Sequence, residues 1–243
     1  MPAAMSAIRA VTFDFWNTLV SETGGSDTRL ASWLGSLETH GHQVEQPVLE
    51  RAMTDLWGWF TARWEGNEVV APDELARQTL AFLEVEPAPA LLEEMIASLH
   101  DGHDPDTMQV SPGIGDTLER LRSAGVRVGI ICDVGFTPAT TLRRYLDHHG
   151  LLEHFDAWSF SDEVGCYKPD LRMFRHAAGS LGLPGDSGFA HVGDLRRTDI
   201  AGARGAGWTS VRYSGWYDDR TELPDADEVI ADHADLVTVL GID

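Results

Sequence analysis

The chain has 243 residues, 43% of them hydrophobic, with 39 acidic against 18 basic side chains and a formal net charge of −21. That length holds one large domain or a core with an inserted subdomain, and the hydrophobic content excludes a disordered chain. The charge excludes nucleic acid and anionic membranes as partners except through a local basic patch, and the densest basic pairs are only Arg143-Arg144 and Arg196-Arg197.

The opening MPAAMSAIRA has neither the charged nor the long apolar segment of a secretory leader, so a cytoplasmic protein is expected. The first predicted strand covers 8–14, an apolar run broken by Arg9 and Thr12 and closed by Asp14. Residues 21–105 hold no clear strand. Apolar positions recur there at helical spacing in LASWLGSLETHG, VLERAMTDLWGWFTARW, LARQTLAFL and ALLEEMIASLH, which predicts four helices divided at Gly41, Gly66-Asn67 and Pro87/Pro89. Trp57, Trp59, Phe60 and Trp64 are expected mostly in the core of this helical insert, with one or two facing a substrate. Arg29 or Arg63 is a candidate source of positive charge.

Downstream of residue 108, strands predicted at 124–133, 155–161, 188–194, 208–213 and 228–231 alternate with helices at 137–152, 169–183, 198–207 and 234–240. Pro138 and Pro169 sit where a helix tolerates proline, in its first turn. Such a βαβ series implies an α/β fold, a parallel sheet with helices on both faces. The longest apolar runs are strand-sized, short of the ~20 residues a membrane helix needs. Cys132 and Cys166 lack metal or disulfide spacing.

Ligands of open parallel sheets sit beyond the carboxyl ends of the strands. The residues ending these strands are Asp14, Cys132-Asp133, Ser161-Asp162 and Asp194, with Lys168 just before Pro169 and Asp199 five residues after Asp194. Carboxylates converging on one rim repel unless a cation offsets them. Mg²⁺ suits such an oxygen-rich set, and a lysine there would offset an anionic group on a substrate.

Four segments occur in an order that resembles the haloacid dehalogenase-like hydrolases: VTFDFWNTL, VGIICD, GCYKPD and HVGDLRRTD. The resemblance spans nearly all of residues 5–213. It implies a Rossmann-like core at 1–20 and 106–243, with an α-helical cap domain at 21–105. It also implies a Mg²⁺-dependent phosphatase of a small anionic metabolite, acting as a monomer or homodimer. In that scheme Asp14 is the nucleophile, and Asp14, Asp194 and the main-chain carbonyl of Trp16 hold Mg²⁺. Asp199 supports the metal through its waters, and Lys168 pairs with Asp14 and the transferring group.

Two positions depart from the common phosphatases. The second residue after the nucleophile is usually an aspartate that protonates the leaving oxygen; here it is Trp16, whose indole has no titratable proton near neutrality and otherwise forms a wall of the pocket. The true dehalogenases also lack that acid and carry an aromatic there, which makes a 2-haloacid dehalogenase the alternative; a binding protein on a degenerate scaffold is the third. Cys132 takes the slot of a small hydroxyl residue, either touching substrate or serving as a small buried hydrophobe, and Asp133 matches a substrate-contacting asparagine that commonly follows.

Overall fold

The computed structural model describes residues 7–22, 26–102, 104–183 and 188–242. Residues 1–6, where a leader was sought, and 184–187 lie outside that description. In chain order, β1 (Ala10–Phe13) and β2 (Val20–Glu22) precede four helices, α1 (Ser26–Thr39), α2 (Gln46–Glu65), α3 (Pro72–Phe82) and α4 (Pro89–Asp101). Next come β3 (Met108–Val110), α5 (Ile114–Ser123), β4 (Arg127–Cys132), α6 (Ala139–His148), β5 (Ala157–Phe160), α7 (Ser161–Val164) and α8 (Leu171–Ser180). The chain ends with β6 (Phe189–Gly193), a π-helical turn Arg196–Ile200, α9 (Ala201–Gly205), β7 (Thr209–Tyr213), β8 (Glu228–Ile230) and α10 (Leu236–Val239).

Six strands form one sheet in the order β5-β4-β1-β6-β7-β8, with every pairing parallel. Helices cover both faces, a Rossmann-like arrangement. Every residue of β1 and β6 is buried. Central parallel strands bury both faces, which is why these segments read as nearly unbroken apolar runs. Side chains of β4 divide by parity. Val128, Ile130 and Cys132 pack with Leu118, Leu142 and Val237 from α5, α6 and α10. Ile131 packs on the opposite face with Met173, Phe174 and Ala203 from α8 and α9.

The four helices of the insert enclose a separate apolar cluster that includes Trp33, Leu49, Leu56, Leu80 and Leu99. Prolines occupy the first turn of α2, α3 and α4, where the absent N–H breaks no helical bond. One core residue, Tyr167, joins this cluster, and its hydroxyl accepts from the Val70 amide at 3.1 Å.

Two features were not legible beforehand. β2 and β3 pair antiparallel, Val20 opposite Val110 and Glu22 opposite Met108, where the chain enters and leaves the insert. Three residues per strand are too few for alternation to register. No element was assigned over Ile114–Ser123, which forms α5 with Ile114, Leu118 and Leu121 buried at helical spacing.

Candidate active site

Sheet order determines where the acids meet. From β1 the chain builds β4 and β5 on one side, then crosses to β6 on the other flank of β1. At such a reversal the connecting loops diverge and leave a crevice beyond the strand ends. Asp14, Asp133 and Asp194 each follow directly on a strand bordering that crevice. The Asp14 amide is fixed to the Val192 carbonyl at 2.8 Å.

Asp199 comes from the π-helical turn, in which the Asp199 and Ile200 amides both donate to the Leu195 carbonyl, at 2.9 and 3.2 Å. Single π-helical turns are frequent at functional sites, and this one returns Asp199 to the strand it left. Gly193 allows the approach: a Cβ there would collide with the Asp199 carboxyl group.

Lys168, 2% exposed, joins the set. Its Nζ donates to Asp14 Oδ1 at 2.5 Å, Asp199 Oδ1 at 2.6 Å and the Ile131 carbonyl at 3.0 Å. Oxygens of Asp14, Asp194 and Asp199 lie within 4.8 Å of one another, all three residues buried. Two of the three carboxylates thus share one ammonium.

The electrostatics follow from burial and sign. Burial pushes Asp14 up to about 7, against the pull of Lys168. Burial and the charges of Asp14 and Asp199 push Asp194 well above the usual carboxylate range. Asp199 goes the other way. Burial alone would raise it, but Lys168 and a hydrogen bond from His191 outweigh that and hold it low. Lys168 is likewise disfavoured by burial, yet its acidic neighbours, Asp14 first, hold it charged.

Asp199 is saturated with donors: besides Lys168, its oxygens accept from His191 Nε2 at 3.1 Å, the Leu195 amide at 3.0 Å and Thr198 Oγ1 at 3.2 Å. Asp194 differs. Among the described residues no other residue donates to its carboxylate, although it is 3% exposed. A buried carboxylate that no neighbouring residue bonds, beside two others, is the environment a hard divalent cation satisfies. The donor set therefore fits Mg²⁺. The Trp16 carbonyl accepts no hydrogen bond among the described residues, and Trp16 lines the same cavity. Asn17 reverses the chain there at φ 52°, a left-handed conformation asparagine tolerates.

These groups open into a cavity of about 900 Å³. Asp14, Trp16, Asp133, Lys168, Asp194 and Asp199 all line it. Cys132 does not, which favours the small buried hydrophobe over the substrate contact among its two readings. Its parity on β4 turns the thiol into the core, it is fully buried, and burial followed by the Asp14 charge pushes its pKa well up. Asp133 reaches the cavity, but its oxygens are engaged. Oδ1 accepts from the Lys168 amide at 2.9 Å and Oδ2 from Trp64 Nε1 at 2.7 Å. Trp64 belongs to α2, so this bond ties the insert to the core. The Arg197 guanidinium covers the Trp64 ring at 3.9 Å. Arg29 lines the cavity, whereas Arg63 stacks on Trp59 at 3.9 Å and does not.

Sequence reasoning missed His191, Phe136 and Tyr217. His191 is fully buried, with Nδ1 2.9 Å from Thr12 Oγ1. Burial holds the imidazole pKa low, so the ring is neutral; Nε2–H faces Asp199 and Nδ1 accepts from Thr12. A signal was present: Thr12 and His191 are polar residues in central strands, and the parallel register sets them side by side. Phe136 and Tyr217 lie in loops without periodicity.

A family model described as haloacid dehalogenase-like hydrolase matches residues 8–207. Haloacid dehalogenase-like hydrolase domain-containing protein 3 of Homo sapiens is 29% identical over 227 residues, covering 86% of this chain and 82% of that protein. The crystal structure of a 2-haloacid dehalogenase from Pseudomonas syringae pv. Tomato superposes with a TM-score of 0.71 at 24% identity, over 96% of this chain and 98% of that one. A HAD phosphatase from Thermococcus onnurineus gives 0.68 at 23% identity, over 97% and 99%. At these identities the solved structures establish the fold.

Proposed function

This chain belongs to the haloacid dehalogenase-like hydrolases, and within that family we propose that it is a Mg²⁺-dependent phosphatase of a small anionic metabolite, working through an aspartyl-phosphate on Asp14. The observation that carries the reading is the grouping of three buried carboxylates, two of them bonded to Lys168. Asp14 and Asp194, with the Trp16 carbonyl, would hold the metal. Asp199, anchored by four donors, keeps Lys168 in place and supports the metal at one remove. When bound, Mg²⁺ would neutralise charge on the carboxylates and on the phosphoryl oxygens. Residues 21–105 serve as the cap in this reading.

In the chemistry we infer, an Asp14 carboxylate oxygen forms a bond to phosphorus as the ester P–O bond breaks. The displaced oxygen leaves with the electron pair; water then attacks the phosphorus, the bond from phosphorus to the Asp14 oxygen breaks to restore the carboxylate, and inorganic phosphate leaves as the water's proton passes to solvent. Lys168 orients the nucleophile and offsets charge on the transferring group, the kind of electrostatic help a loose phosphoryl transition state uses most. Trp16 supplies no proton, so the leaving oxygen departs unprotonated or takes its proton from water.

Trp16 also favours the second reading, a 2-haloacid dehalogenase, because a departing halide needs no proton. Against it stands the Asp194 carboxylate, which in a metal-free site would be buried beside two others, with the one nearby ammonium, Lys168, already bonded to those two. Hydrolysis of 4-nitrophenyl phosphate, measured with Mg²⁺ and with EDTA, decides between them. Turnover that requires the metal and disappears in Asp14→Asn is expected. Halide release from chloroacetate in EDTA, without phosphate release under either condition, refutes the phosphatase.

A further inference from the structure

We propose that the cavity takes an anion carrying a planar, otherwise uncharged aromatic body, held between Trp57 of α2 and Tyr217 of the loop after β7; the placing of the anionic end rests on the phosphatase reading above. Among the described residues, the two most exposed large hydrophobic side chains are Trp57, at 59%, and Tyr217, at 47%. Both line this one cavity, one from the insert and one from the core. Exposed aromatic side chains lining one cleft mark surface that a ligand covers.

Packing of the insert does not require a tryptophan at 57. The stripe of α2 that builds the insert's core is Leu49, Ala52, Leu56 and Phe60, and Trp57 stands beside it. Its ring is nevertheless oriented, edge-on to Phe136 with centroids 5.5 Å apart and tilted against Phe60 at 5.8 Å. A ring already held gives up little rotamer freedom when a ligand stacks on it. Trp64 is unsuited to that role, because its N–H is committed to Asp133 and its face to Arg197. Glu50 lines the same cavity, as do Glu22 and Arg29, which offset each other, so the remaining negative charge disfavours a second anionic group on the body.

Two phosphonates that share the anion and differ by the ring, benzylphosphonate and ethylphosphonate, test this by calorimetry in Mg²⁺. Benzylphosphonate should bind about tenfold tighter, the gain expected from covering one ring with partial stacking. Trp57→Ala should remove most of that ratio, and Tyr217→Ala part of it. The turnover counterpart compares 2-phenylethyl phosphate with n-butyl phosphate. Both release a primary alkoxide, so a difference in kcat/KM carried by KM reports the ring. Equal affinity of the two phosphonates, including no measurable binding of either, overturns the proposal, as does a ring preference that survives both substitutions. Ring-dependent binding without turnover of either ester or of 4-nitrophenyl phosphate would refute the phosphatase and leave the aromatic site standing.

Discussion

Replacing Trp64 with phenylalanine removes one N–H and leaves most of the ring. The lost bond is a 2.7 Å donation to Asp133 Oδ2, from the insert to the core. A hydrogen bond to a charged group contributes about 1.5–3 kcal/mol, and an acceptor set back from water loses more when orphaned. Asp133 is such an acceptor: burial already raises its pKa, and the Trp64 bond is among the effects that oppose the rise. A loss of about 2 kcal/mol is therefore expected, equivalent to about 4–8 °C in Tm for a chain of this size. Urea or thermal unfolding measures it, and a double-mutant cycle with Asp133→Asn isolates it. The asparagine keeps an oxygen for the Lys168 amide but turns its NH₂ toward the indole. Trp64→Phe should then cost close to nothing in the Asp133→Asn background. Equal destabilisation in both backgrounds would show that Trp64 contributes through its ring alone, and the argument for an insert-to-core latch would fail.

Three further outcomes are expected. Across phosphate esters of rising leaving-group pKa, kcat/KM should fall steeply in the wild type, and Trp16→Asp should narrow the gap between aryl and alkyl esters by about 10²-fold, the lower end of general-acid catalysis; parallel declines in both proteins would refute this. Saturating Mg²⁺, at about 100 times its Kd, should add about 2.7 kcal/mol of stability that EDTA reverses and that Asp194→Asn abolishes; a wild-type Tm indifferent to Mg²⁺ contradicts it. His233 is fully buried, with Nε2 bonded to the Thr18 carbonyl and the ring stacked on Tyr213, and burial lowers its pKa from 6.5 to about 4. The unfolded chain binds that proton first, so the contribution is complete above pH 6.5 and about 3 kcal/mol is lost as pH falls to 4. His233→Gln should flatten this part of the stability profile, and identical acid limbs in the two proteins would rule it out.

What was legible in the sequence is what repeats or what ends an element. Unbroken apolar runs gave away the six strands of the main sheet, and helical spacing the four helices of the insert. Asp14, Asp133 and Asp194 were found because each immediately follows a strand, and parallel topology sends strand ends to one place. Cys132 stayed open between a substrate contact and a small buried hydrophobe. Side-chain parity decides which face a strand residue takes, and only the observed register shows that Val128, Ile130 and Cys132 share the core face. Tyr217 had no comparable signal. It reaches the cavity through an irregular loop, so nothing periodic in the chain announces it. His191 lay between these cases, conspicuous as a polar residue in a buried strand but interpretable only beside Thr12.

The short antiparallel ribbon of β2 and β3 gives the molecule a seam. It brings the two ends of an excursion of more than eighty residues side by side, Glu22 opposite Met108. Strand ends so placed accept a tight hairpin turn of about 2–5 residues. A replacement between them would keep the strands that carry Asp14 and Asp194 connected, at the cost of the Trp64–Asp133 and Val70–Tyr167 bonds. Exchange or trimming of that excursion in the course of evolution would re-dress the entrance while the reacting atoms kept their positions, so selectivity and bond-breaking can be inherited independently.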